Sequence, residues 1–121
     1  MDAGHLANVR KLPCLLCEAE RRGNINAHHV RLHGEPEHGT GYKPPDKRAC
    51  PLCEDIHHVP GVHAHGDHEG YFLLFHIVIR EYLTALWAAR HSLEAMERVT
   101  FNFRQEAARK KAAAKHHGEA A

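Results

Sequence analysis

Histidine is concentrated in two short stretches of the sequence. Residues 28–33 read HHVRLH and residues 57–68 read HHVPGVHAHGDH, so these stretches hold three and five of the 14 histidines in the 121-residue chain. A neutral imidazole nitrogen can bind a metal ion or accept a proton near neutral pH. The crowding therefore indicates metal binding, proton transfer or both. Within these stretches other residues separate the histidines, and both stretches lie inside the sequence, which is not the pattern of an affinity tag.

The four cysteines form two CxxC pairs, Cys14-x2-Cys17 and Cys50-x2-Cys53. Two thiolates at this spacing fit neighbouring corners of a tetrahedron around Zn²⁺, and two such pairs complete it. The sequence therefore predicts one structural zinc ion held by all four cysteines. Two unrelated buried pairs and a redox CxxC are the alternatives, but the βαβ pattern of a thioredoxin-like protein surrounds neither pair.

Length and composition indicate one small soluble domain. Hydrophobic residues make up 43% of the chain and charged residues 26%, and the net charge is +1. The apolar run YFLLFHIVI is too short to span a membrane, and the N-terminus lacks a hydrophobic signal region. We therefore expect a cytoplasmic protein with no membrane partner, in which reduced thiols are available for metal.

The elements that must position these residues are short. The pattern predicts strands over 24–32 and 47–53, joined by a Gly/Pro-rich loop, and a helix that starts at Glu54 and is interrupted by Pro60-Gly61. Apolar residues at helical spacing then predict helices from about residue 80 onward. We divide the chain into a metal-binding core over 1–70 and a helical extension over 71–121 that packs on it. From about residue 104 the extension is a basic, solvated helix.

The order of these motifs resembles a known family. CxxC, HH, a loop ending in KPPD, CxxC, HH and a further His follow one another over residues 13 to 91. This order is similar to that of the HNH, or ββα-metal, endonucleases, and most of all to the small prophage-encoded, YbcO-like and recombination-enhancement group. The resemblance implies an α+β fold, a small zinc-stabilised ββα-metal core with C-terminal helices, and hydrolysis of DNA phosphodiester bonds with one divalent ion.

The family pattern implies roles for individual residues. His28 is the first ligand of the catalytic ion and His29 the general base, while His58 and His63 best match the later ligands. Mg²⁺ or Mn²⁺ is the expected ion, although three imidazoles would also accept Zn²⁺ or Ni²⁺. Asp46 of KPPD is the candidate partner that orients the base.

The chain departs from the family pattern at two points. Many relatives place the later ligands four residues apart on one helical face, whereas His58 and His63 are five apart with Pro60-Gly61 between them. His57 or His65 could substitute. The Asn that often orients the base is also absent from its position, which is why Asp46 is considered instead.

The expected partner is DNA, with branched and single-stranded forms both open, and a protein partner or self-association is not excluded by the sequence. The cationic residues placed to meet backbone phosphates are Arg31, Lys43, Lys47 and Arg48. The alternative function is a non-catalytic, zinc-bound module that binds DNA or protein. The missing Asn and the Pro-Gly interruption favour this alternative.

Overall fold

The computed structural model describes residues 3–35 and 44–120, and the side chains up to residue 115. The predicted phosphate contact Lys43 therefore lies outside the described residues. Helix α1 precedes two antiparallel strands, β1 and β2; a π-helix and three α-helices follow. In chain order the elements are α1 (Ala3–Arg10), β1 (Ile25–His29), a 3₁₀ turn (Asp46–Arg48), β2 (Ala49–Cys53), the π-helix (Glu54–His63), α2 (His68–Leu73), α3 (Ile79–Ala88) and α4 (Leu93–Ala120).

The sheet is a two-stranded antiparallel hairpin whose register fixes the metal-binding side chains. Ile25 pairs with Cys53, and His28 pairs with Cys50. The α+β class is thus confirmed in its coarse form. The first strand is shorter than the predicted 24–32: it ends at His29, because the residue that faces Val30, Arg48, already belongs to the 3₁₀ turn.

Two segments go beyond the sequence-based expectation: residues 3–10, for which no element was predicted, and the segment that begins at Glu54. Residues 3–10 form α1 and bury Leu6 and Val9 in the core. The segment after Cys53 is one uninterrupted π-helix that contains Pro60 and Gly61. The interruption was expected because proline in an α-helix removes a hydrogen bond and clashes with the preceding turn. The π-helix has a wider i→i+5 repeat than the α-helix to which this rule applies.

One buried core joins the hairpin to the helices. Phe72, Tyr82, Leu83 and Leu86 are buried together with residues of both strands. The hydroxyl groups of Tyr82 and Thr100 lie 2.8 Å apart and join α3 to α4 inside this core. Beyond Ala107, which packs at its edge, the described side chains of α4 are exposed. Among the described residues, none of the helices combines the length and the apolar character that crossing a membrane requires.

Candidate metal centre

The first cysteine pair lies in a turn between α1 and β1. The amide of Cys14 donates to the carbonyl of Arg21 at 2.9 Å, which closes the turn on itself. The amide of Leu15 donates to the carbonyl of Pro51 at 2.9 Å and fixes the turn against the outer edge of β2. The turn that carries Cys14 and Cys17, which is called the knuckle below, therefore lies directly beside the end of β2.

Three sulfurs and one imidazole nitrogen converge at this knuckle. The Nδ1 atom of His57 lies 3.5 Å from the sulfurs of Cys14 and Cys17 and 3.3 Å from that of Cys53. The sulfurs of Cys17 and Cys53 are 3.7 Å apart. These four side chains form a group that could hold a metal ion.

The group has the dimensions of a tetrahedral zinc site. Ligands at typical Zn–S and Zn–N distances lie about 3.8 Å (S to S) and about 3.5 Å (S to N) apart. The observed separations match both values. Hydrogen bonding explains the arrangement less well, because the single lone pair of Nδ1 cannot accept from three thiols at once. The group is therefore compatible with a Cys₃His zinc site.

The structure does not bring Cys50 into this group. Cys50 and Cys53 both lie on β2, and side chains three residues apart on a strand point to opposite faces. Cys50 instead faces the side of the hairpin that carries His28, its register partner. In the group that could hold a metal ion, His57 stands in the place that the sequence analysis gave to Cys50.

The sequence contained a sign of His57 as a ligand, namely its position four residues after Cys53. The sequence analysis considered His57 only as a substitute in the histidine group. Its ring packs edge-on against Phe75, with ring centroids 5.3 Å apart. Burial is the main cause of the lowered pKa of His57, so the ring is neutral near pH 7 and its lone pair is available.

A second group consists of His28, His58 and His63. Each offers one nitrogen, and these nitrogens lie within 4.8 Å of one another. The Nδ1 atoms of His28 and His58 are 3.1 Å apart, close to the separation of about 3.3 Å expected for two nitrogens on one tetrahedral ion. The structure thus brings together the three histidines that the family resemblance implied, which are named here as the histidine trio.

The π-helix explains why a spacing of five works. Hydrogen bonds from i to i+5 bring residues five apart close to vertical alignment, and π-helical turns occur frequently at functional sites. The rings of His58 and His63 therefore both lie beside that of His28. Their own centroids are 4.9 Å apart, and the two rings meet edge to face. His57, one residue before His58, points instead to the sulfurs. A single helix supplies ligands to both groups.

Burial disfavours the charged form of two members of the trio, His28 and His58. Burial, followed by repulsion from the neighbouring histidines, lowers the pKa of His28 to about 2. Burial likewise lowers the pKa of His58. The Nε2 atom of His28 is buried and has no hydrogen-bond partner among the described residues. An ion shared with His58 would instead meet the other nitrogen of this ring, Nδ1, and the three converging imidazoles fit a divalent cation.

His29 and Asp46 form a pair beside the trio. The Nε2 atom of His29 lies 2.9 Å from Oδ1 of Asp46, and both side chains are largely buried. Since a carboxylate only accepts, Nε2 carries the hydrogen, and Nδ1 of the neutral ring keeps its lone pair. His29 is the last residue of β1, which allows its ring to leave the strand on another side than that of His28.

A fourth imidazole, that of His68 at the start of α2, flanks the trio. Its ring centroid is 5.0 Å from that of His28 and 5.9 Å from that of His63. Its Nδ1 accepts a hydrogen bond from the backbone amide of Arg31 at 2.9 Å. Burial, assisted by the charge of His63, lowers the pKa of His68 to about 4. The sequence analysis assigned no role to His68.

The predicted phosphate contacts have different surroundings. Arg31 and Lys47 are exposed, next to His68 and Asp46 respectively. Arg48 forms an ion pair with Glu35, with nitrogen–oxygen distances of 2.8 and 3.1 Å. Its charge is therefore already matched within the protein, whereas Arg31 and Lys47 are placed here by their exposure alone.

Arg104, the first residue of the predicted basic tail, contacts the knuckle. Its guanidinium donates to the carbonyls of Cys14, Cys17 and Ala19, the last two at 2.8 and 3.1 Å. Lys111 forms an ion pair with Glu18 at the same turn. Helix α4 is thus attached to the loop that carries two sulfurs, a contact between distant parts of the chain that no sequence motif announces.

The chain was compared with known proteins in three ways. A scan against protein-family models finds no match, and searches of curated proteins and of solved structures find no significant match.

Proposed function

We propose that the protein is a metal-dependent endonuclease of the HNH type, which hydrolyses DNA phosphodiester bonds. The observation that carries this proposal is the convergence of His28, His58 and His63 beside the His29–Asp46 pair. Neutral imidazoles and a base held by a carboxylate are the groups that phosphodiester hydrolysis requires. The resemblance in motif order supports the same reaction.

In this proposal each metal group has its own task. Zinc binds Cys14, Cys17, Cys53 and His57 and stabilises a domain with a small core. A second divalent cation, Mg²⁺ or Mn²⁺ with Zn²⁺ or Ni²⁺ as alternatives, binds the trio. When bound there, it supplies a Lewis acid that neutralises charge developing on the phosphate.

The protein's own groups handle the proton. His29 accepts the proton of the attacking water at Nδ1, because Nε2 is committed to Asp46. The resulting imidazolium forms an ion pair with the Asp46 carboxylate, which favours proton uptake and holds the ring in one orientation. Arg31 and Lys47, both exposed nearby, bind the DNA backbone without reading its sequence.

The proposal is tested by cleavage of supercoiled plasmid and of single-stranded and branched oligonucleotides. The protein is freed of weakly bound divalent ions with zinc kept at the cysteine group, and Mg²⁺, Mn²⁺, Ni²⁺ or Zn²⁺ is then added. His29→Ala should bind metal at both groups as the wild type does, and its cleavage rate should be about 10²- to 10⁴-fold lower. His91→Ala, which removes an exposed histidine at the α3–α4 connection, is the matched control and should cleave normally. Equal cleavage by His29→Ala and wild type would remove the assignment.

A second candidate, a zinc-bound module that binds nucleic acid without cutting it, is favoured by one observation. The Cys₃His group is by itself a complete set of structural zinc ligands. Metal stoichiometry and cleavage distinguish the two candidates: one tightly bound zinc, DNA binding and no cleavage with any added ion would support the binding module.

A further inference from the structure

His68 lies where a fourth metal ligand would be expected. Its ring is 5.0 Å from that of His28, the same separation that His28 has from His58. Four imidazoles at such distances resemble a closed structural site, whereas catalytic sites keep a position open for substrate. Whether His68 is a ligand therefore decides what this site can do.

The hydrogen bond from Arg31 answers this question. A backbone amide only donates, so Nδ1 of His68 must carry the lone pair in the 2.9 Å contact. In a neutral imidazole the other nitrogen, Nε2, then carries the hydrogen. Binding an ion through Nε2 would move that hydrogen to Nδ1 and turn two N–H groups toward each other. Consistently, His68 does not belong to the set of mutually close ligand atoms that the trio forms.

His68 is also held in place at both ends. Asp67 caps α2 by accepting from the amide of Gly70 at 3.1 Å, which fixes the helix residue that carries the ring. His68 is 6% exposed, and the amide that its ring contacts, that of Arg31, lies two residues beyond the end of β1. Among the described residues, no protein group accepts a hydrogen bond from Nε2, so one donor beside the trio remains available for a ligand.

We propose that His68 is not a metal ligand but a catalytic hydrogen-bond donor, whose Nε2–H binds an anionic oxygen of the scissile phosphodiester at the histidine trio. The proposal rests on the proposed nuclease function and specifies one of its contacts. A donor in a fixed tautomer suits this task, because it stabilises negative charge on an oxygen without exchanging a proton with it.

The test uses two substitutions in the full-length protein with zinc at the cysteine group. His68→Leu removes the donor and puts an apolar side chain of similar size in place of the ring. His68→Gln restores both functions of the ring, since its amide oxygen can accept from Arg31 and its NH₂ group can donate. Mn²⁺ or Co²⁺ is then titrated into the trio, and inorganic phosphate is the probe, followed by broadening of its ³¹P resonance.

We expect His68→Leu to bind the second ion within about threefold of wild type, to bind phosphate about tenfold more weakly and to lower kcat about 100-fold with little change in KM. His68→Gln should recover much of both losses. In wild type, ¹⁵N spectra of the imidazole should show a hydrogen on Nε2 of His68 both before and after the second ion is added.

Two results would overturn the proposal: a hydrogen on Nδ1 of His68 after the ion is added, or equal phosphate binding by wild type and His68→Leu. If wild type cuts no nucleic acid but phosphate binding and the ¹⁵N spectra are as expected, the nuclease function fails and the donor stands. If His68→Leu cleaves as fast as wild type, the donor fails and the nuclease function stands. Should His68→Leu not fold, the ¹⁵N experiment on wild type still decides between ligand and donor.

Discussion

At the scale of single residues, the two cysteines of the second CxxC have opposite surroundings. The sulfur of Cys53 faces Cys17 and His57, whereas Cys50 is fully buried on the other side of the hairpin. Burial raises the pKa of Cys50 well above its usual range, which keeps it a protonated, apolar thiol. Cys50 therefore behaves as a core residue.

This difference predicts how zinc content responds to substitution. Cys50→Ala should retain one equivalent of zinc, because the Cys₃His group is unchanged. Cys53→Ser and His57→Ala should each lose zinc or bind it far more weakly, since a ligand is removed. Elemental analysis measures the stoichiometry, and the sulfur-to-metal bands of the Co²⁺-substituted protein report the ligands. A protein that loses zinc with Cys50→Ala but keeps it with His57→Ala would contradict the assignment.

The charge state of the ligands predicts a pH dependence of zinc binding. Burial raises the pKa of Cys14, and burial together with the neighbouring thiols raises that of Cys17 to about 12. His57, with its lowered pKa, has no proton to give up near pH 7. Zinc should therefore release at least two protons, one each from the thiols of Cys14 and Cys17, and its affinity should rise steeply with pH.

Calorimetry in buffers of different ionisation enthalpy measures this release between pH 7 and 8. His57→Cys is the matched variant, because it adds a fourth thiol and should raise the release by about one proton. A release near one proton from the wild type would mean that two of the thiols are already ionised before zinc binds.

At this scale the sequence identified metal-binding residue types better than it identified which side chains contact one another. Residue type and spacing were enough to select Cys14 and Cys17 as one pair, whereas the grouping of His28, His58 and His63 came from the resemblance in motif order. They did not separate Cys50 from Cys53, because CxxC fits both a turn and a strand, and only the pairing with β1 decides which. The role of His68 depends on one backbone amide, which a sequence does not display.

At the scale of elements, the π-helix determines which histidines meet. It sends His57 to the sulfurs and aligns His58 with His63, and an α-helix would separate the latter two around its circumference. Gly61 is needed inside it, because a Cβ atom there would collide with the ring of Tyr71. In an α-helix the Pro60-Gly61 pair would cause an interruption, which is why the sequence analysis predicted one. In the structure the pair lies inside a π-helix, which has a different pitch.

The contact of α4 with the knuckle gives a prediction at the same scale. Arg104 donates to the carbonyls of Cys14, Cys17 and Ala19 from its partly buried position, and these hydrogen bonds hold the turn in its ligating form. Hydrogen bonds from a charged group contribute about 1.5–3 kcal/mol. Arg104→Ala should therefore accelerate the dissociation of zinc by about tenfold or more.

Transfer of zinc to a chromogenic chelator measures this rate. Arg98→Ala is the control, because Arg98 lies on the same helix and forms only an exposed ion pair with Glu94 at 3.4 Å. Arg104→Lys should recover little, since an ammonium group lacks the planar fork that reaches several carbonyls. Equal dissociation rates for Arg104→Ala and Arg98→Ala would show that α4 does not support the knuckle.

At the scale of the whole molecule, the two metal groups share their supports. The π-helix carries ligands of both groups, and the hairpin contributes Cys53 to one and His28 to the other. Zinc at the cysteine group should therefore order the helix and hairpin that bring the trio together. The sequence divided the same residues into motifs but could not show that two motifs depend on one helix.

This shared support predicts energetic coupling between the sites. With zinc bound, the affinity of the trio for Mn²⁺ or Co²⁺ should exceed that of a Cys14→Ser/Cys17→Ser variant by about 5- to 150-fold, the usual range of coupling between sites. Linkage requires the same factor in the other direction, so filling the trio should strengthen zinc binding equally. Titration of each ion with the other site filled or removed measures both factors, and Cys50→Ala should leave them unchanged. Equal affinity of the trio with and without zinc would mean that hairpin and π-helix hold their form without the cysteine group, and zinc would then have no part in assembling the second site.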